Sequence, residues 1–527
     1  MSIPLLTHFA PALGMIDLPG SRKVHLRAVP RSGGLGLALG LAAALVLTYD
    51  RLSHFLLGLV GGLVIILLFG MADDRRGLTA WQKMAGQALA AAAAVAGGVR
   101  INTLGSIMGG SALALGPWAA PVSIIFLMAA TNAINLADGL DGLAGGFSLL
   151  IFTFIALLAA SSQQTGLMLF SVSMAGAALG FLRYNTYPAT IFLGDAGSQI
   201  LGFSAGLAAV MLTQPPSPYS PMLSLMMLGL PLLDSVSVAF ERLSEGGSPF
   251  RADRRHLHHR LLGCGLSHQE AVLTLYIFQE AYIGLAYVLR GYQGGYILCG
   301  YLGLCLGAWL FTRSLRGGGH ADGPERRPLF ETLRKVLLRR RIGEAAHGLL
   351  LVAITVFFLA MPLAGGAGRD AGVISVLLLA ALALARNRLG YLMPHVLRLS
   401  CYFLGGYLIV FASESPPGLV GRLSLDWALL RSLYFAALIG LLLIYAVGTR
   451  GKPLLSTLDA LALVAALLLP LGPVEALHDH RFLLGLSQAV VFFVCLEPYI
   501  NQLRHRTAFA RVPIVFGLAV SGLGAWG

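Results

Sequence analysis

Apolar runs of about 17 to 25 residues recur along the chain, each closed by a short polar loop and each long enough to cross a hydrocarbon layer about 30 Å thick. The pattern predicts an all-α fold: a polytopic integral membrane helix bundle of about 18 transmembrane helices, about 11 before residue 314 and about 7 after it. Residues 3 to 16 are short for a first span. The rhythm breaks over Arg313 to Arg341, where Gly, Pro and a dense basic run interrupt it, and Leu329 to Arg341 reads as a basic amphipathic helix suited to anionic lipid. Three segments follow: a membrane core over 1–313, a basic linker over 314–344 and an appended membrane domain over 345–527. No internal repeat relates the two membrane segments.

Composition agrees with that pattern. Of 527 residues 57% are hydrophobic and 12% charged, with mean hydropathy +0.77, against about 25% charged in soluble domains. The net charge of +13 suggests a nucleic-acid partner until its placement is considered. All but seven of the 37 Lys and Arg residues fall in alternate loops, the exceptions being Arg51, Arg100, Arg290, Arg369, Arg422, Arg431 and Arg481. That asymmetry is the positive-inside signature and puts the basic loops in the cytoplasm. The charge is therefore a topology signal, and no nucleic-acid partner is expected. The 5 cysteines form no CxxC and imply neither a disulfide framework nor a zinc site.

Acidic residues are scarce, and those that matter lie at span ends on the basic side. A charge at bilayer depth costs about 2.5–3.5 kcal/mol, so gathered carboxylates call for a compensating cation. Asp73 and Asp74 close the apolar run GGLVIILLFGMADD. Adjacent helical residues point about 100° apart, so the two can share one site only at a helix terminus; an ordinary interfacial acid pair with a snorkelling Arg is the plain alternative. In TNAINLADGLDGLAGG, the residues Asn132, Asn135, Asp138 and Asp141 recur every third position, which would set them on one helical face, with Gly139 and Gly142 allowing close approach or a turn. Such a face can hold a nucleobase or sugar through its amides and a cation through its acids; a capped glycine hinge is the alternative. Asp195, between Gly194 and Ala196 in FLGDAGS, either caps the helix that follows or ligates magnesium.

The loop SPFRADRRHLHHRLL carries His256, His258 and His259 among Arg251, Arg254, Arg255 and Arg260. Arginine forks with histidine donors suit a diphosphate better than a metal. A second basic loop, DLPGSRKVHLRAVPRSGG, brings Lys23 and His25, as well placed to receive an anionic lipid head group as to serve topology alone. Asp234, in LPLLDS, is an acid within an apolar run, open between packing and function. His478, Asp479 and His480 face the other side and read as a chance loop cluster.

Taken together and in order, DDRRGLTAWQK, NAINLADGLDGLAGG, FLGDAGS and HLHHRL resemble the motifs of the polyprenyl-phosphate N-acetylhexosamine-1-phosphate transferase family (glycosyltransferase family 4), over roughly residues 14 to 313. The peptidoglycan branch of that family, which uses UDP-N-acetylmuramoyl-pentapeptide, carries consecutive histidines after a proline in the last loop. HLHHRL is similar instead to the branch that transfers GlcNAc 1-phosphate. The resemblance implies a multi-pass enzyme of the bacterial cytoplasmic membrane, its site facing the cytoplasm. Such an enzyme would move N-acetylhexosamine 1-phosphate from a UDP-sugar to undecaprenyl phosphate, releasing UMP, as the first membrane step of a cell-envelope polysaccharide such as O-antigen. A transporter or flippase of lipid-linked sugar and a phospho-N-acetylmuramoyl-pentapeptide transferase are the alternatives.

Residue roles follow from the same resemblance. Asp73 and Asp74 would bind the cation or deprotonate the lipid phosphate, and Asp195 would ligate Mg2+, for which Mn2+ could substitute. Asn132, Asn135, Asp138 and Asp141 would form the nucleotide-sugar side, with Gly194 and Ser198 beside them. Arg255, His256, His258, His259 and Arg260 would hold diphosphate and sugar, and Lys23, His25 and Lys83 the remaining phosphate charge. The appended half is open between stabilising a homodimer, coupling to a partner and a transport role of its own.

Overall fold

A computed structural model describes residues 2–17, 28–48, 54–107, 109–247 and 255–316, with 349, 352 and 354. The chain divides into two compact units, Met1–Glu325 and Arg326–Gly527, and the described residues lie almost wholly in the first. The expected linker beyond residue 316 and the appended domain, apart from residues 349, 352 and 354, lie outside them, as do Lys23 and His25.

Among the described residues the first unit is helical apart from one two-stranded antiparallel ribbon and an isolated bridge between Thr103 and Ala114. In chain order it comprises α1 (Ser2–Phe9), β1 (Ile16–Asp17), β2 (Val29–Pro30), α2 (Gly33–Thr48), α3 (His54–Arg76), α4 (Ala80–Ala96), a short 3-10 turn (Gly116–Trp118), α5 (Ala119–Ala137), α6 (Leu143–Ser161) and α7 (Thr165–Asn185). Then follow α8 (Gly194–Thr213), α9 (Leu223–Met227), α10 (Gly229–Ser244), α11 (Leu257–Gly263), α12 (His268–Leu289) and α13 (Gly294–Arg316). Among the described residues seven helices are long and apolar enough to cross a membrane, in α3, α5 with its 3-10 turn, α6, α7, α8, α12 and α13. The remaining apolar sequence of this unit forms shorter helices: the first run makes only the 8-residue α1, and the run near residue 228 is divided between α9 and α10.

Helix starts follow local chemistry. Thr79 and Gln82 form a reciprocal capping box at α4, and Ser267 and Glu270 form another at α12. Packing then converges on α8, where every residue from Ala196 to Val210 is buried. Helices α2, α3, α5 and α6 all pack on it, and α2, α3 and α5 do so backbone to backbone. A Cβ added at Gly34 would lie 2.3 Å from the Gly197 nitrogen, and one at Gly70 would lie 2.4 Å from the Ala196 Cα. Small residues permit this approach, and in lipid it is packing of this kind that holds helices together. The consequence is positional: the ends of α3 and α2 are pinned against the first turn of α8, where Asp195 stands.

Candidate functional site

The acidic half of the site is built around the N-terminus of α8. Gly194, at φ +72°, turns the chain into that helix, and a side chain there would collide with the Asp74 carboxylate 2.6 Å away. The preceding segment is held to β2 and α2: Phe192 N–H donates to the Pro30 carbonyl (2.7 Å), and Gly33 N–H donates to the Phe192 carbonyl (3.0 Å). Asp74, buried at the end of α3, accepts the Asp195 and Ala196 backbone N–H groups at 2.8 and 3.0 Å. It satisfies donors that the first turn of a helix cannot satisfy itself, where negative charge is favoured. Asp73 points elsewhere, accepting Leu78 N–H at 2.7 Å with one oxygen and pairing with Lys83 through the other. Lys83 Nζ also lies 3.5 Å from Asp195 Oδ1. One lysine thus bridges carboxylates from α3 and α8.

The amide half continues from α5. Asn132 donates to Gln87 Oε1 (2.6 Å), Gln87 donates to Gln199 Oε1 (3.3 Å), and Ser198 donates to Asn135 Oδ1 (2.7 Å). These bonds tie α4, α5 and α8 together directly beside the acids. The three-residue rhythm is not carried through, because α5 ends at Ala137 and Asp138 leaves helical geometry with ψ 50°. Asp141 consequently faces a different element, accepting Ala189 N–H at 2.9 Å, while Gly142 N–H donates to Asn185 Oδ1 (2.9 Å). Burial pushes the Asp138 carboxyl up to about 8, helped by the Asp195, Asp74 and Asp141 carboxylates and opposed by Arg31. Asp138 therefore belongs electrostatically to the acid cluster, and Arg31, itself held by Asp17 at 2.9 Å, acts against that cluster's effect on it.

The histidine loop closes the site from α10, α11 and α12. His256 Nδ1 lies 2.9 Å from Asp234 Oδ2, and Leu257 N–H donates to Asp234 Oδ1 at 2.9 Å. The His256 and His258 rings are parallel to within 5° at 5.9 Å, and His259 lies 4.2 Å from His258 between centroids. A Cβ at Gly139 would meet His258 Nε2 at 2.2 Å, so the acid loop and the histidine loop are in direct contact. Burial, then His259, depresses His258 to about 3, which keeps its ring neutral at physiological pH. The arginines are already paired: Arg260 with Glu241 at 2.6 Å and Arg255 with Glu245 at 2.7 Å.

Most of the residues singled out in the sequence therefore meet on one side of the bundle, in an acid-and-amide group and a histidine group joined at Gly139. A separate cavity of about 340 Å3, lined among others by Arg100, Asn102, Gln164 and Gln214, sits at the far ends of α4, α6 and α8 and takes no part in this cluster. Sequence reasoning passed over Gln87 and Gln199, although each lies four residues, one helical turn, beyond a charged member, Lys83 and Asp195, in an otherwise apolar helix. It also passed over His268, whose ring stacks on Tyr187 at 4.5 Å and whose Nε2 lies 3.4 Å from the Asp141 carbonyl. Nothing in the spacing of His268 announces that contact.

The donor set can be tested against a divalent cation. Among the described residues no three His, Cys, Asp or Glu side chains form a ready-made metal cage. What is present is an excess of carboxylate around one lysine, with Asp73 and Asp195 both turned to that lysine. Hard oxygen donors of this kind fit Mg2+, which takes one or two carboxylates and completes its shell with substrate phosphate and water.

These features define a multi-pass helical membrane protein with an acid-lined polar site at its span ends. Residues 56–213 match the family model of glycosyl transferase family 4. The chain is 32% identical over 288 residues, 54% of its own length and 80% of the relative's, to a probable undecaprenyl-phosphate N-acetylglucosaminyl 1-phosphate transferase of Bacillus subtilis (strain 168). It is 32% identical over 282 residues, 52% of its length and 77% of the relative's, to the undecaprenyl-phosphate alpha-N-acetylglucosaminyl 1-phosphate transferase of Yersinia pestis. With the decaprenyl-phosphate N-acetylglucosaminephosphotransferase of Mycolicibacterium smegmatis it shares 34% over 321 residues, 53% and 78% of the two lengths. The chain belongs to glycosyl transferase family 4.

Proposed function

We propose that this protein transfers N-acetylglucosamine 1-phosphate from UDP-N-acetylglucosamine to undecaprenyl phosphate and releases UMP, at the cytoplasmic face of a bacterial inner membrane. The observation that carries the reading is the junction at α8: Lys83 between Asp73 and Asp195, Asp74 clamped on the helix N-terminus, and the Asn132 to Asp138 segment alongside. The sugar type is supported by relatives that act in the GlcNAc branch and by the HLHH loop. The side of the membrane is supported by the basic loops that carry these motifs.

Both substrates are anions, so the work of the site is positioning and charge stabilisation. An oxygen of the lipid phosphate attacks the sugar-bearing phosphorus of the UDP-sugar, the bond from that phosphorus to the bridging oxygen breaks, and the electron pair leaves on UMP. A phosphate oxygen is already a competent nucleophile, so direct in-line attack needs little from a general base. When bound, Mg2+ held by Asp195 and Asp73 would neutralise phosphate charge. Asp74 holds the first turn of α8 in place, Lys83 supplies fixed positive charge, and the Asn132–Gln87–Gln199 amides set the face against which the nucleotide-sugar lies. His256, His258 and the Arg255 and Arg260 guanidinium groups line the diphosphate side.

The test is UMP release by the purified full-length protein with undecaprenyl phosphate, Mg2+ and each of UDP-GlcNAc, UDP-GalNAc and UDP-N-acetylmuramoyl-pentapeptide. Release with UDP-GlcNAc, lost in EDTA and in Asp195→Asn, is the expected result. Release only with the muramoyl-pentapeptide donor would move the protein to the other branch. A folded protein releasing UMP from none of them would leave transport of lipid-linked sugar as the better account.

A further inference from the structure

We propose that Asp234 is a positioning residue for the transfer reaction: it fixes which ring nitrogen of His256 carries a hydrogen, and so which nitrogen is left to act on the substrate diphosphate. The inference rests on the transferase reading above and adds a residue to it. Asp234 lies on α10 and is 8% exposed, and His256 is 5% exposed. A buried carboxylate is retained only where its oxygens are satisfied. Here both oxygens are spent on one short stretch of chain, Oδ2 on His256 Nδ1 and Oδ1 on the Leu257 N–H, each at 2.9 Å.

The chemistry of the pair is directional. An ionised carboxylate only accepts, so the His256 nitrogen facing it must be an N–H, and Nε2 is the ring position that remains. The same logic operates wherever an acid behind a histidine sets its tautomer and ring angle. The effect is passed on by packing: His256 stacks flat on His258, and His258 abuts Gly139, the neighbour of Asp138. A column therefore runs from α10 through two imidazoles to the acid loop, and Asp234 is its foot. His256 is also the residue that precedes α11, and its own side chain makes no capping bond there. Asp234 thus has a second, purely structural contact through Leu257, which the test must separate from the first.

Asparagine separates them. In Asp234→Asn the carbonyl oxygen can still accept the Leu257 N–H, while the amide N–H2 now faces Nδ1 and demands the opposite tautomer. His256→Asn is the complement, because an asparagine amide can replace the Nδ1–H toward Asp234 but offers nothing in place of Nε2. The full-length protein would be assayed for UMP release with UDP-GlcNAc and undecaprenyl phosphate as wild type, Asp234→Asn, His256→Asn, His256→Ala and the double variant Asp234→Asn/His256→Ala, with thermal melts alongside. The expected result is a kcat loss of ~10–100-fold in Asp234→Asn, the usual range for an outer-shell partner, with the KM for UDP-GlcNAc within about twofold and Tm nearly unchanged. His256→Asn should lose kcat to the same extent, and Asp234→Asn should cost nothing further in the His256→Ala background.

Near-wild-type kcat in either His256→Asn or a folded Asp234→Asn overturns the proposal, as does an Asp234→Asn effect that persists in full without the His256 ring. Because His256→Asn leaves Asp234 in place, it can still overturn the proposal where Asp234→Asn fails to fold. A folded wild type that turns over none of the donors overturns the transferase reading and this inference with it. An active wild type with an insensitive His256→Asn overturns this inference alone.

Discussion

The two halves of the site hold their charges in opposite ways. Around α8 the carboxylates are secured mostly by the backbone: Asp74 by two amides of the helix start, Asp73 by the Leu78 N–H, with Lys83 bridging Asp73 and Asp195. In the histidine loop three basic side chains have a carboxylate partner each, Asp234 for His256, Glu241 for Arg260 and Glu245 for Arg255. Among the described residues the acid half is therefore left with more carboxylate than cation, and burial, reinforced by the Asp195, Asp74 and Asp141 carboxylates, raises Asp138, whereas the three named side chains of the histidine half are each paired. A surplus of this sign calls for a cation, and a balanced, braced surface is suited to holding an anion in one orientation. The difference makes the acid half the part that responds to added cation and the histidine half the part that responds to small shifts in geometry.

Removing the bridge should have the largest effect. Lys83→Met is expected to lower kcat by ~10²–10³-fold, the scale of losing one preorganised charge at a polar site, measured as UMP release at saturating donor. Loss of less than about threefold would show that Lys83 only balances the acids and takes no part in turnover. On the geometric side, Gly139→Ala places a methyl where His258 Nε2 now sits. Displacement of that ring should cost up to ~10²-fold in kcat, the penalty for about 1 Å of misplacement, with Tm shifting little.

Stability should divide along the same line. Gly70→Ala forces α3 away from the Ala196 backbone and should destabilise by about 1–3 kcal/mol, as overpacking does, read as a lower Tm in detergent. A further effect depends on pH. Because the folded carboxyl of Asp138 titrates near 8, well above its ordinary value of 3.8, the folded protein binds more protons than the unfolded chain between those limits. Stability without divalent cation should then fall as pH rises through that window, most steeply in its middle, and level off above about pH 8. Added Mg2+ should reduce the fall, and Asp138→Asn should flatten it; an Asp138→Asn melt with the same pH slope as wild type would assign the surplus elsewhere. The smallest expected change is that of Glu241→Gln, which releases the part-exposed Arg260 fork: under about 1 kcal/mol in stability and a few-fold at most in the KM for UDP-GlcNAc.

Much of this was legible along the chain. Asp73, Asp74 and Asp195 stood out because polar residues bounding apolar runs are conspicuous, Lys83 entered only through the family resemblance, and the sequence reading already required a helix terminus for the two adjacent acids to serve one site. The face drawn through Asn132, Asn135, Asp138 and Asp141 held for its two amides and failed for Asp141, since extrapolating a helical period assumes that the helix continues, and α5 ends at Ala137. Asp234 was visible as an acid in an apolar stretch, but its role depended on a partner 22 positions away whose approach is set by how α10 meets α11.

Hydropathy and charge order were determined by the sequence alone: helical spans, the basic side, and acids gathered at span ends. These depend on what each residue costs in lipid or water, which is a property of the residue and its immediate run. Only the tertiary structure decided how each oxygen is used. Asp74 meets a backbone amide 121 positions away, Lys83 joins an acid 112 positions away, and His258 reaches Gly139 across more than a hundred residues. No local pattern encodes such pairings, because they are selected by which helices can approach closely enough on the small residues of α8 and by which buried polar atoms must then find a partner.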